Sequence, residues 1–290
     1  TAVGYQALHK FEADTDGHGG NTGLGYQAGF GISYGTENTA IGANALDADP
    51  STGDANTAVG AHALTQATAG TNNTAIGVQA MNATTVGERN VAIGRQALAT
   101  NVDGDDNVAI GHEALTNLEP SDNAGDNTAV GSYAGQAISQ GIQNVCIGYS
   151  AGNTLTTGDN NILIGYNAQP SAVGVDNEIT LGDANIANNI RCNVQTIGAL
   201  SDGRDKKEVE QLSLGLDFID ELKPVKFKWE TRDGNIKDGT YEAGFIAQDL
   251  QKSQQDIDAE FLGLVYEANP DRLEASYGKL IPVLVRAIQE

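Results

Sequence analysis

A chain of 290 residues carrying 38 acidic against 16 basic side chains, a formal net charge of −22, is poorly suited to neutralising phosphates, which excludes nucleic acid as an expected partner. Two cysteines, Cys146 and Cys192, supply neither a disulfide framework nor zinc-ligand spacing, and no apolar run approaches membrane-spanning length, so metal and membrane insertion are not expected. The first two hundred residues hold 29 of the 36 glycines and a single lysine, Lys10, whereas the last ninety hold 12 of the 16 basic residues and the only tryptophan, Trp229, so the chain divides into regions 1–200 and 201–290.

In the first region a unit N-T-A-(V/I)-G-x-x-A-(L/G) recurs with its Asn at 21, 38, 56, 73, 90, 107, 127, 144 and 161, mostly 17 residues apart. The matching glycines run from Gly25 and Gly42 to Gly148 and Gly165, and an altered copy, NEITLG at 177–182, closes the array. TAVGYQAL at the start opens within a unit, so the reading expects chain before Thr1. Such a period signals a stack in which each unit buries its face only against its neighbours. The unit is too short for a helix pair, and its Gly and Asn disfavour helix. We therefore expect two short strands per unit, (T/N)-A-(V/I)-G and x-x-A-L, joined by turns such as DADPSTGD and TNVDGDD. The small Ala at the centre of the first strand suggests packing around a crowded axis.

Candidate chemistry in the repeats is sparse. His9, His18, His62 and His112 have no second ligand at metal spacing. The loop Asp103–Asn107 (DGDDN) has the look of a calcium site but lacks the closing glutamate of an EF-hand and reads as a solvated turn. Cys146, where other units carry Ala, reads as a small buried hydrophobe. No cofactor is expected, and no carboxylate pair stands out as a glycosidase site. The repeat pattern resembles the heads of trimeric autotransporter adhesins and the shafts of viral tail fibres. That resemblance implies a β-roll or β-helix completed as a parallel homotrimer, with a single-chain solenoid as the alternative. Binding of a host cell-surface receptor, a glycan included, is implied by the resemblance alone.

The second region reads as α+β. Leu212, Leu216, Ile219 and Leu222 mark one helical face, with Ser213 as the expected N-cap and Pro224 after the stop. Val225, Phe227 and Trp229 alternate with charged residues, and TYEAGFIA follows TRDGN, which together read as a β-hairpin. A polar helix over 248–255, a strand over 261–266 and a terminal helix over 277–290 complete the region. In that last helix Tyr277, Ile281, Leu284 and Ile288 are spaced 4, 3 and 4, as in a coiled coil, and Pro282 must sit in its first turn or bend it.

SDGRDKK, then GLDFIDELKPVKFKW, YEAGFIAQDL and YGKLIPVLVRAIQE, resemble in order the intramolecular chaperone auto-processing domain that ends phage endosialidases, tail spikes and tail fibres. The resemblance implies a trimerising domain that guides folding of the fibre and cuts the chain once, between Leu200 and Ser201. In the family pattern S-D-x-R-x-K, Ser201 is the nucleophile and Lys206 the general base, with Asp202 and Arg204 as supporting motif residues. Asp205 departs from the aliphatic residue usual before that lysine; a carboxylate there favours the unreactive ammonium. The reading that follows is a virion tail fibre exposed at an extracellular surface, homotrimeric, with Ser-Lys autoproteolysis as its one enzymatic act. A bacterial surface adhesin with a retained, non-cleaving trimerisation cap is the alternative.

Overall fold

The computed structural model describes residues 1–12, 19–119, 125–183, 204, 206–228, 241–267 and 273–290. The chain forms two compact units, Thr1–Ala184 and Asn185–Glu290, each described by itself.

The first unit is a parallel β-solenoid of about ten turns. Eleven short strands, from β1 (Ala2–Val3) and β2 (Thr22–Leu24) through β6 (Val91–Ile93) and β7 (Val108–Ile110) to β11 (Ile179–Leu181), lie in one sheet in sequence order. Each pairs only with its neighbours in sequence, and like residues meet: Thr39 with Thr57, Ala40 with Ala58, Ile41 with Val59. The alternation of a strand sends the middle residue inward and the flanking two outward. Ala40, Ala58, Ala75, Ala92, Ala109 and Ala129 are accordingly fully buried in the core of the same chain. Their small size lets the two walls of one coil approach, so the crowding expected from sequence lies within the chain.

The x-x-A-L segment is a turn, which corrects the expected second strand. Asn44 and Leu46 take left-handed backbone, φ 55° and 50°, and the same positions in other coils do likewise. Hydrogen bonds between coils hold this conformation, unusual for residues with side chains: Asn44 N–H donates back to Tyr26 O at 2.9 Å and Leu46 N–H forward to Ala63 O at 2.9 Å. The turn leucines, Leu46, Leu64, Leu98 and Leu115, fill the core together with Met81. Where the unit carries Gly instead, the volume returns three residues later, from Ile32 after Gly29, Ile138 after Gly135 and Leu155 after Gly152. Burying each such side chain stabilises the fold by about 1.5–3 kcal/mol.

The glycine that ends each strand is required by geometry. At Gly94 φ is +137°, and a Cβ there would stand 2.4 Å from the Gly111 carbonyl oxygen of the next coil.

The recurrent asparagines form a buried ladder. Asn73 is fully buried; its Nδ2 donates to Gly87 O at 2.7 Å and its Oδ1 accepts the Asn90 N–H at 3.0 Å. The same pair of bonds recurs at Asn38, Asn56 and Asn144. The amide of Asn carries its donor and its acceptor on two separate atoms of one short side chain, so it can bond Gly87 O and the Asn90 N–H at the same time. The last rung is Glu178, whose N–H donates to Asn161 Oδ1 at 2.9 Å, while its own carboxylate accepts from Ser171 and from Thr180 Oγ1.

In the second unit, helix α1 spans Leu216–Glu221, and strands β12 (Val225–Phe227) and β13 (Glu242–Gly244) pair antiparallel, as expected of the hairpin. Trp229 lies outside the described residues. Helix α2 covers Ala247–Gln255, and helix α3, Ile281–Gln289, follows a 3-10 turn over Tyr277–Leu280, with Pro282 in its first turn. Two expectations are corrected. Gly215, and not Ser213, occupies the cap of α1, whose Leu216 N–H donates to Glu290 Oε2 at 2.8 Å. The stretch 261–266 is a strand only at β14, Val265–Tyr266, paired with β15, Glu274–Ala275. Before it, Glu260–Leu262 forms a 3-10 turn closed by Gly263 in left-handed backbone. Phe218, Leu222, Leu250, Leu262, Leu264, Leu280 and Val283 make the core.

Candidate functional site

The residues that the sequence motif selects fall at the start of the second unit. Arg204 and Lys206 are exposed, and each is engaged by a neighbouring group. Leu200, Ser201, Asp202 and Asp205 lie outside the described residues.

The frame downstream of the motif is well defined. Residues 206–215 lead into α1, whose first free N–H is held by the Glu290 carboxylate. Arg286 Nη2 stands 3.4 Å from the other oxygen of that carboxylate, and a Cβ on Gly215 would meet it at 2.4 Å. Helices α1 and α3 are thereby joined at a point that no local pattern reveals, since the partners are 74 residues apart. Lys226 and Lys228 place their ammonium groups 4.2 and 4.6 Å from the Tyr241 ring centroid, across the hairpin. The Tyr277 ring packs edge-on to Phe245 at 5.5 Å, and its hydroxyl accepts the Phe245 N–H at 3.2 Å.

Two apolar surfaces stand exposed. On the solenoid, the third strand residue points outward in every coil, and Ile76, Ile93, Ile110, Ile147 and Ile164 are each 36–39% exposed. Flanked by the outward Thr, Val or Ile of the first strand position, the third-position residues of the eleven strands form a ridge about 48 Å long at roughly 4.8 Å per strand. On α3 and the 3-10 turn before it, Leu280 and Val283 are buried, while Tyr277, Ile281, Leu284 and Ile288 are exposed, Ile288 by 84%. These four are the seam that the heptad spacing marks. Isolated soluble chains seldom leave faces of this kind open.

Elsewhere the chemistry is structural. The Cys146 thiol, fully buried in the Ala row, is pushed up to about 12 by burial. Two acids of the calcium-like loop are engaged by their own chain: Asp105 Oδ1 accepts the Glu88 N–H at 2.7 Å, and Asp106 pairs with Arg89 at 2.8 Å, which holds the Asp106 carboxyl below its usual range. Burial, reinforced by the nearby Asp103 charge, raises the Glu119 carboxyl. Among the described residues no group of three or more His, Cys, Asp or Glu is placed to hold a metal ion, and no helix is long and apolar enough to cross a membrane.

After the SDGRDKK motif the pieces follow in the order helix, hairpin, second helix. Residues 201–258 match the family model of the chaperone of endosialidase. The match to this chaperone begins at Ser201 and runs past the end of α2, covering about a fifth of the chain; α3 and the exposed seam lie beyond it. No curated protein and no solved structure matches the chain.

Proposed function

We propose that this chain is the shaft and carboxy-terminal chaperone of a homotrimeric, phage tail-fibre-like protein that reaches a host surface, and that the chaperone segment cuts the chain once between Leu200 and Ser201. The observation that carries the reading is the chaperone-of-endosialidase match beginning at Ser201, after a solenoid whose last strand ends at Leu181. The exposed ridge of the solenoid and the exposed seam of α3 support assembly into a trimer, because three copies would bury both. Starting assembly from one end answers a kinetic problem, since aligning three long repetitive chains requires non-local contacts that form slowly. The host receptor, a glycan among the candidates, belongs to the same reading.

In the reaction, Ser201 Oγ attacks the Leu200 carbonyl carbon while Lys206 Nζ takes the hydroxyl proton. The Leu200–Ser201 C–N bond breaks, the proton passes to the departing Ser201 amine, and the Leu200 acyl group is left as an ester on Oγ. Water then hydrolyses that ester. A serine hydroxyl needs such a base, and a lysine serves as one once removed from water. Lys206 is exposed in the single chain. Its burial would therefore come with assembly, which would make cutting wait for the trimer.

The test is intact-mass analysis of freshly folded protein beside Ser201→Ala and Lys206→Ala. A fragment ending at Leu200 together with a ninety-residue fragment in the parent, and whole chains in both variants, is the expected result. Whole chains in all three, in a sample whose native mass is that of a trimer, would make the domain a permanent cap and not a protease.

A further inference from the structure

Three oxygen-bearing side chains interrupt rows of the solenoid that are otherwise apolar or hydroxylic, and they do so in one corner. Asn101 stands in the core row of Thr84 and Leu118, Asp103 follows Val86 in its row, and Glu119 follows Val102 in the row between. Hydrogen bonds from coil to coil fix these alignments. Thr84 Oγ1 donates to Asn101 O at 2.8 Å, Thr85 N–H to Val102 O at 2.9 Å, and Glu119 N–H to Ser139 O at 2.8 Å. Asn101 and Asp103 thus share one turn, and Glu119 lies at the same corner one coil on. The coil that carries Glu119, from Asn107 to Asn127, is the one with a 20-residue step.

Two oxygens of this corner are buried and unanswered. Asn101 is fully buried, and its Nδ2 donates to Gly104 O at 2.9 Å. The amide cannot turn over without setting Oδ1 against that carbonyl, so its orientation is fixed, and Oδ1 has no hydrogen-bond partner. Because Gly104 directly follows Asp103, this bond lays the Asn101 amide across the turn that carries the Asp103 side chain. Asp103 Oδ1 is likewise buried without a partner. Buried oxygens are nearly always answered by protein, water or an ion, and a carboxylate oxygen left alone is the costlier kind. Desolvation and, after it, the Asp103 charge raise the Glu119 carboxyl, so the two acids stand within electrostatic reach of one another.

No cation of the chain relieves them. Arg89, at the same corner, is taken up by Glu88 at 2.7 Å, Asp105 at 3.2 Å and Asp106 at 2.8 Å. Among the described residues Asp103 and Glu119 have no ion pair of their own. An amide oxygen with two carboxylates, and no thiolate or imidazole in the set, suits a hard cation. Ca²⁺ fits better than Mg²⁺, because it accepts irregular geometry and completes its shell with water.

We propose that Asn101 Oδ1, Asp103 Oδ1 and the Glu119 carboxylate hold one Ca²⁺ ion, which ties the 20-residue coil to the coil before it. The donors come from two coils, so spacing within the DGDDN loop does not reveal the site. Glu119 is exposed, which gives the ion a way in from solvent. Three protein donors make a weak site, with Kd of about 10⁻⁴–10⁻³ M. It lies within one chain and is independent of whether that chain assembles or is cut.

The test uses the full chain, stripped with EDTA and dialysed against CaCl₂, with NaCl adjusted to constant ionic strength so that screening of the net charge does not vary. Equilibrium dialysis counts the bound Ca²⁺, and thermal melting reads its effect. The parent is expected to bind one ion per chain and to melt about 3 °C higher in about 10 mM CaCl₂. Asn101→Thr with Asp103→Val takes the residues that the same rows carry at Thr84 and Val86, so the coil keeps a composition the solenoid already uses. This double variant is expected to lose the ion and the shift, and in EDTA to melt no lower than the parent, because the unanswered oxygens are gone. Glu119→Gln, at an exposed position, is expected to fold as the parent does and to weaken binding about tenfold, which keeps the test decisive if the double variant does not fold. No saturable binding by the parent up to about 10 mM overturns the site. A Ca²⁺ shift that survives unchanged in either variant also overturns it, and assigns the effect to the diffuse negative charge of the chain.

Discussion

Replacing Asn73 by aspartate tests the ladder in its two halves. The substitution keeps the shape and the oxygen that accepts the Asn90 N–H, but it sets a second oxygen where Nδ2 now donates to Gly87 O at 2.7 Å. The site is fully buried, so ionisation there is opposed by desolvation and by the facing carbonyl. A shift of about 3 units above the unfolded value of about 3.9, at about 1.36 kcal/mol per unit, gives a loss of about 4 kcal/mol at pH 7. The sign follows from linkage: the folded pKa is raised, so the penalty is absent below the unfolded pKa and grows as pH rises toward the folded one. At pH 4 the protonated acid can donate to Gly87 O as the amide does, and the difference from the parent should shrink to about 1 kcal/mol. Asn73→Ala, which deletes the three bonds its side chain makes to neighbouring coils, should cost about 2–3 kcal/mol at either pH. Urea unfolding at one fixed protein concentration, with each variant compared with the parent at the same pH, measures this and cancels the titration of the other acids. An Asn73→Asp difference that does not change between pH 4 and pH 7, or an alanine cost below about 0.5 kcal/mol, would refute the ladder as a source of stability.

Gly94→Ala should destabilise the solenoid by about 3 kcal/mol or more, since it combines left-handed strain with a Cβ 2.4 Å from a carbonyl oxygen, whereas Gly278→Ala, with nothing within 4 Å of its Cβ, should stay within about 0.5 kcal/mol; thermal melting of both variants checks the contrast. In a Cys192→Ser background, Cys146 should resist maleimide at pH 8 in the folded chain and react fully in urea, because burial keeps the thiol protonated and out of reach; rapid labelling of the native protein would contradict its place in the core.

The parts of the fold that were legible in the sequence are those imposed within one coil. Gly25, Gly42 and Gly60 stood out because backbone at φ near +135° next to another chain segment tolerates nothing larger, and the requirement repeats with every coil. The hairpin and α3 were legible for the ordinary reason of alternation and heptad spacing. The x-x-A-L turn was misread because A-L beside a polar pair looks extended, and its left-handed residues are stabilised by bonds to coils above and below, which local propensity does not contain. The asparagines served as alignment marks before the ladder gave them a role; the available signal was a residue able both to donate and to accept, recurring at a fixed interval. Ser213 lost the α1 cap to Gly215 because the capping carboxylate comes from Glu290. For the candidate site, the motif SDGRDKK and the order of elements after it were legible, and the family match begins at the same serine. The proposed approach of Ser201 to Lys206 is a tertiary matter that spacing along the chain does not determine.

The exchange of Leu for Gly at positions 29, 135 and 152, each offset by Ile or Leu three residues on, restores the lost core volume within the same coil. A coil that fills its own core and offers the same rung groups to the coils on either side can be duplicated or deleted with its neighbours meeting equivalent partners. The reach of such a rod is therefore countable: gene-level gain or loss of one 17-residue unit lengthens or shortens it by about 4.8 Å, leaving both ends as they were.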